Sequence, residues 1–138
     1  MAKTTNLIGL DVGTARIGVA VGDSGVCLAV PHDTIEVDGN EIERIAEIVV
    51  RQDAKVIVVG LPRNQQGDLT AQSEYAKEFA KKLDYMDAEV VFQDESLTSV
   101  IAEERLKSYK RPYSKGDIDA EAASIILQDY IEEKYALH

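Results

Sequence analysis

The chain begins with a pattern typical of a β-hairpin that carries a carboxylate beside its turn. Residues 7–12 are almost entirely apolar, as in a strand covered on both faces, and only Asp11 interrupts them. A Gly-Thr turn follows, and residues 16–22 return with small side chains at alternate positions. Because side chains alternate across a strand, Asp11 shares a face with Gly9. If the small residues lie beside Asp11, we expect a floor with room for a metal ion or a phosphate.

The rest of the chain alternates between patterns typical of strands and of helices. Unbroken apolar runs predict buried strands, and apolar residues at helical spacing predict amphipathic helices. Three successive strands followed by helix–strand units indicate one α/β domain over residues 1–138, with a mixed sheet and helices on both faces. The predicted strands span 5–12, 15–22, 26–36, 55–60 and 88–93, and the predicted helices span 41–52, 70–83 and 98–107, with a last helix capped by Asp117 and ending near Tyr135.

The net charge of −10 argues against a sequence-independent grip on nucleic acid. The charge is uneven, however, because residues 105–115 hold five of the 15 basic residues and no acid. With two tyrosines among them, Lys110, Arg111 and Lys115 could pair with phosphates while the rings stack on bases. A solvated surface is an equal alternative for such a run of charge.

Cysteine content and hydropathy favour a cytoplasmic chain. The single cysteine, Cys27, excludes an internal disulfide and fits a reducing compartment. The N-terminal residues lack the pattern of a signal peptide, and no apolar run approaches the ~18 residues of a membrane span. We therefore expect no membrane partner.

Three acidic residues stand where strand ends and a helix would direct them toward one edge of the sheet. Asp11 ends the first strand, Glu95 follows the last strand, and Asp119 lies early in the final helix on its sheet-facing side. If they meet within about 4 Å, each like-charged pair costs roughly 4 kcal/mol at an effective dielectric near ~20, so the cluster must take up protons or bind a cation. Oxygen ligands select hard ions, which predicts one or two Mg²⁺ or Mn²⁺ ions held by these residues.

Each of these features also has a purely structural explanation. Asp11 could order the turn through a side-chain hydrogen bond, and Asp119 could favour the positive end of a helix. Glu95 could be a solvated loop acid, with Asp94 as its rival because a shift of one residue exchanges them. Residues 60–64 suggest a loop that approaches a phosphate, but they lack the Lys-Ser/Thr of a P-loop, so a generic connection is an equal alternative.

Four motifs occur in a recognisable order: DVGTARIGVAV from Asp11, VGLP from Val59, DESLTS from Asp94 and IDAEAA from Ile118. Together they resemble the YqgF family, also called RuvX. The resemblance implies a ribonuclease H-like fold, in which an antiparallel three-strand meander and two parallel strands form a five-stranded mixed sheet flanked by helices. It also implies a cytoplasmic, Mg²⁺- or Mn²⁺-dependent nuclease that hydrolyses phosphodiester bonds of RNA, in maturation of the 5′ end of pre-16S rRNA.

The resemblance also assigns roles to individual residues. The family's catalytic, metal-binding acids map onto Asp11, Glu95 and Asp119, and its motif arginine maps onto Arg16, which would meet a substrate phosphate. Ser96 stands where the family commonly has a basic or aromatic residue, which predicts altered local contacts with the substrate. The candidate substrate-binding residues are Arg16, Arg63, Lys110, Arg111 and Lys115.

Three other functions fit parts of the sequence. A Holliday junction resolvase acting on branched DNA would need a two-fold dimer with paired sites, whereas we expect a monomer or a weak homodimer. The Asp-x-Gly-Thr hairpin also resembles the phosphate-binding turn of actin, sugar kinases and heat-shock ATPases, which close two such domains around ATP. A non-catalytic RNA-binding factor in ribosome maturation would keep the acids only for stability, and three repelling carboxylates serve that purpose poorly.

Overall fold

The computed structural model describes residues 4–64, 66, 68–95 and 98–135, and its strands form one five-stranded mixed sheet. In chain order the elements are β1 (Asn6–Val12), β2 (Arg16–Asp23), β3 (Leu28–Glu36), α1 (Glu41–Gln52), β4 (Val56–Pro62), α2 (Ala71–Lys81), β5 (Glu89–Glu95), α3 (Thr98–Ser108) and α4 (Lys115–Lys134). The strand order is β3-β2-β1-β4-β5. The first three strands pair antiparallel, and β4 is parallel to both β1 and β5, as the sequence predicts.

Helices cover both faces of the sheet, so its central strands are apolar on both sides. On one face, Ile8 packs in a cluster with Phe79 and other residues of α1 and α2. On the other face, Val58 packs in a second cluster with Leu127 of α4. The helix α3 lies against α4 rather than on the sheet, where Ala102 joins a small third cluster. In the described part of the chain, no helix is long and apolar enough to cross a membrane.

The small residues of β1 and β2 let α4 lie unusually close to the sheet. A Cβ atom at Gly9 would come within 2.7 Å of the Leu127 Cβ, and one at Gly18 would overlap the backbone carbonyl of Asp119. Gly18 is the direct partner of Asp11 in the β1–β2 ladder. The floor of small side chains is therefore filled by α4, so the predicted space for a ligand above it is wrong. What the floor does provide is the close approach that carries Asp119 toward Asp11.

Several predicted element boundaries differ from the structure by a few residues, and two of these differences bear on the cleft. The last helix is capped by Ser114, whose side chain accepts a hydrogen bond from the Asp117 amide, while the Asp117 carboxylate accepts one from the Ser114 amide. Because this capping box places Asp117 inside the helix, Asp119 falls in the second turn. The strand β4 continues to Pro62, which pairs with Glu95, so the first part of the predicted phosphate loop is strand.

We expect Gly18→Ala to destabilise the protein, because the added methyl group must displace α4 from the sheet. Overpacking of this kind costs about 1–3 kcal/mol. The control is Gly116→Ala, at a glycine in the first turn of α4, where the new Cβ would meet the Thr34 Cγ2 at an ordinary contact distance of 3.5 Å. Urea unfolding of both variants measures the difference, and equal free energies of unfolding would contradict the close approach.

Candidate active site

A cleft of about 560 Å³ lies at the carboxyl edge of the parallel strands, and the three predicted acids all line it. Asp11 comes from β1, Glu95 from the last position of β5, and Asp119 from α4. Since β1 and β5 flank β4 with the same polarity, their carboxyl ends open on the same side. The other lining residues are Val12, Gly13, Thr14, Ala15, Arg16, Pro62, Ala71, Gln72 and Tyr75.

Burial and mutual repulsion make two of the carboxyl groups weak acids. Burial, and then the nearby Asp119, raise the pKa of Asp11 to about 6. Burial, and then Asp11, raise the pKa of Glu95 to about 8. Each carboxyl group therefore experiences the field of another, which fits residues of a single site rather than three unrelated acids.

The Glu95 carboxyl group is buried without compensation. Its Oε2 atom is shielded from solvent and has no hydrogen-bond partner among the described residues. Gly60 makes room for this group, because a Cβ there would lie 2.8 Å from Oε2 and 2.6 Å from the Ile126 Cδ1. An unpartnered carboxyl oxygen on a residue that lines the cleft together with two other acids fits a site for a hard cation.

Arg16 holds Asp119 in this structure. Its Nε–H donates to the Asp119 Oδ2 at 2.6 Å, and this bond raises the pKa of the guanidinium above its usual value. As they stand, no three His, Cys, Asp or Glu side chains in the described ranges form a group able to hold a metal ion. One visible reason is that Asp119 already has a cationic partner. An ion bridging all three acids would have to compete with Arg16.

The structure bears on each of the structural explanations left open for the acids. The turn after Asp11 is closed by the backbone, where the Gly13 N–H donates to the Arg16 carbonyl at 2.9 Å. Asp119 lies beyond the first helical turn and is held by Arg16, so the helix dipole does not explain it. Between the two rivals, Glu95 lines the cleft, and Asp94 is 63% exposed and bonded to Arg63 at 2.9 Å.

Comparison with known proteins identifies the family. The family model described as "RuvX: Holliday junction resolvase" matches residues 5–133. The chain belongs to the RuvX family. It is 38% identical over 142 residues to a relative from Gloeothece citriformis named "Putative pre-16S rRNA nuclease", covering 99% of this chain and 94% of the relative. A Bacillus thuringiensis relative of the same name is 36% identical over 135 residues, covering 93% of this chain and 98% of that protein.

Solved structures confirm the ribonuclease H-like fold that is expected of a RuvX protein. The T. thermophilus RuvC in complex with a Holliday junction substrate superposes with a TM-score of 0.60 at 15% identity, covering 96% of this chain and 97% of that chain. The fowlpox virus resolvase in complex with Holliday junction DNA gives a TM-score of 0.55 at 13% identity, covering 94% of this chain and 98% of that chain. At these identities the likeness concerns the fold alone.

The other predicted substrate contacts of this RuvX chain do not line the cleft. Arg63 lies just beyond β4, near the cleft but paired with Asp94. Lys110 and Arg111 are exposed in the connection between α3 and α4, and Lys115 begins α4 one turn before Asp119. Their roles therefore remain predictions. Ser96 falls outside the described residues.

The tyrosines of the basic segment already have intramolecular partners. The Tyr113 hydroxyl donates to the Glu103 Oε2 at 2.9 Å, and the Arg111 guanidinium lies 5.4 Å from the centroid of the Tyr109 ring. Base stacking by these rings would have to displace such contacts. The cleft instead contains a different aromatic ring, that of Tyr75 in α2.

We expect Glu95→Gln to stabilise the metal-free protein at alkaline pH by about 1–3 kcal/mol, the scale for an uncompensated buried polar group. The folded pKa lies above the ordinary value of 4.5, so the native state is penalised progressively as pH rises from 4.5 to about 8. The gain should be full above pH 8 and absent below 4.5. Thermal melts of both proteins with a chelator, across this pH range, measure the gain in stability, and Glu89→Gln at an exposed position is the control. A gain that does not depend on pH would contradict the raised pKa of Glu95.

Proposed function

We propose that this RuvX chain is a metal-dependent nuclease that hydrolyses phosphodiester bonds of RNA, in maturation of the 5′ end of pre-16S rRNA. The observation that carries the proposal is the cleft that Asp11, Glu95 and Asp119 all line, with one carboxyl oxygen of Glu95 buried and unpartnered among the described residues. The names of the relatives point to the same substrate. We place the reaction in the cytoplasm and in a monomer or a weak homodimer.

The donor set of the cleft suits Mg²⁺ or Mn²⁺. Asp11, Glu95 and Asp119 supply only oxygen ligands, which such hard ions prefer, and would hold one or two of them. When bound, the ions supply charge stabilisation at the scissile phosphate and a nucleophilic water at neutral pH. An ion would also offset the burial, and then the repulsion between the acids, that raise the pKa of Asp11 and of Glu95.

Proton release accompanies the filling of this site. With a pKa of about 8, Glu95 holds a proton on its carboxyl group at neutral pH, and a cation favours the ionised form. Affinity for the ion should therefore rise with pH until Glu95 is ionised. If Asp119 served as a ligand to that ion, its Oδ2 would no longer depend on the bond from Arg16.

Arg16 then becomes available for the substrate. A guanidinium matches the two oxygens of a phosphate, and Arg16 already lies in the cleft beside the acids. Because the chain as a whole is acidic, holding an RNA strand depends on such local cations. We assign the remaining positioning contacts to Arg63, Lys110, Arg111 and Lys115.

We expect purified protein with Mn²⁺ to cut single-stranded RNA and Asp11→Asn to lower the rate at least about 100-fold, the scale of a lost electrostatic contact at a reacting centre. The control is Asp84→Asn, at an exposed aspartate outside the cleft, which should keep the full rate. Gel analysis of labelled precursor RNA measures both rates. Undiminished cutting by Asp11→Asn would show that a contaminating nuclease cleaves the RNA.

Holliday junction resolution is the second candidate, favoured by the description of the matching family model. Symmetric cutting of a junction needs two clefts related by a two-fold axis. Adding a four-way DNA junction to the same assay, with the mass in solution measured alongside, separates the two substrates. Preferential cutting of the junction by a dimer would favour resolution. Tight RNA binding without turnover in any divalent ion would instead favour a non-catalytic maturation factor.

A further inference from the structure

Tyr75 lines the cleft from the first turns of α2. The residues of α2 that are buried are Ser73, Ala76, Phe79 and Ala80. Tyr75 falls beside this stripe, keeps 38% of its surface exposed and lines the cleft. Among the described residues it has no hydrogen bond, ion pair or ring contact of its own. Tyr75 thus offers a partly exposed aromatic ring in the cleft that the three acids also line.

The backbone that carries Tyr75 is anchored to the strands at the cleft. Thr70 caps α2, with its side chain accepting a hydrogen bond from the amide of Ser73. The buried Ser73 hydroxyl donates in turn to the carbonyl of Pro62, the residue that pairs with Glu95 at the end of the sheet. The first turn of α2 is thus tied to the strands that carry the catalytic edge. Tyr75 follows two residues later, so its distance from the acids is set by the fold.

We propose that Tyr75 is a stacking platform for one unpaired nucleobase next to the phosphate that is cut. The inference rests on the proposed nuclease function and adds a selection for single-stranded substrate. An aromatic face stacks on any base, whatever the sequence. A base inside a duplex already has neighbours on both faces, so only an unpaired base can use the ring without first being unstacked. The cleft's volume is within the range of sites that hold one small ligand.

The role is tested by removing the ring and the base separately. The variants are Tyr75→Ala, Tyr75→Phe and the control Tyr85→Ala, at a tyrosine that is 68% exposed and lines a different cavity. The substrates are single-stranded oligoribonucleotides in which one nucleotide at a time is made abasic along the strand. The readouts are KM and kcat with Mn²⁺, and the fluorescence of 2-aminopurine placed at the sensitive position.

For the wild type, we expect one abasic position to weaken binding about 5- to 150-fold, the range for one stacked base. Tyr75→Ala should weaken binding of the intact strand by the same factor and lose all sensitivity to that abasic position. Tyr75→Phe and Tyr85→Ala should behave like the wild type. The 2-aminopurine fluorescence should be quenched on binding to the wild type and recover in Tyr75→Ala.

The experiment distinguishes failure of the stacking role from failure of the proposed nuclease function. If RNA is cut in an Asp11-dependent way but Tyr75→Ala responds to every abasic position as the wild type does, the platform is refuted and the nuclease stands. If the wild type neither binds nor cuts RNA, the proposed function fails and the platform with it.

A structural role for the ring would lower stability and kcat in Tyr75→Ala while leaving sensitivity to the abasic position intact, and that result would also refute the platform.

Discussion

The close contact between α4 and the glycines of β1 and β2 determines the geometry of the cleft. Asp119 belongs to a helix and Asp11 to a strand, and only a helix that touches the strand backbone can bring them together. Gly18 allows this contact because a side chain there would overlap the Asp119 carbonyl. The same helix buries its apolar side against the sheet, so its packing energy holds the acid in place. Stability and site geometry are thus consequences of one interface.

That interface places carboxyl groups where they are poorly solvated. Two features of the protein reduce the resulting electrostatic cost. Asp119 is paired with Arg16, which keeps one charge compensated inside the chain. Asp11 and Glu95 instead have raised pKa values, so the metal-free cleft retains protons. A strained, partly neutralised cluster of this kind favours a cation entering from solvent. Affinity for the proposed ion would therefore reflect an electrostatic cost already present in the metal-free fold.

The sequence predicts the sheet topology and the trio of acids because both depend on local signals. Apolar runs and helical spacing define the elements, and strand ends place Asp11 and Glu95 at one edge. The Ser114 cap is missed because Asp117 is an equally good capping residue by type, and only the backbone shows which one begins the helix. The Arg16–Asp119 pair, the filled floor and the position of Tyr75 arise from packing between distant segments, which no local pattern specifies.

The most direct test of the metal site is a crystal soaked in Mn²⁺ and measured at a wavelength where manganese scatters anomalously. We predict an anomalous peak between the carboxyl oxygens of Asp11, Glu95 and Asp119, with Arg16 turned away from Asp119. A second peak beside the first would indicate two ions. A soaked crystal with no peak in the cleft, and with the Arg16–Asp119 bond still formed at 2.6 Å, would contradict the metal site and the chemistry that depends on it.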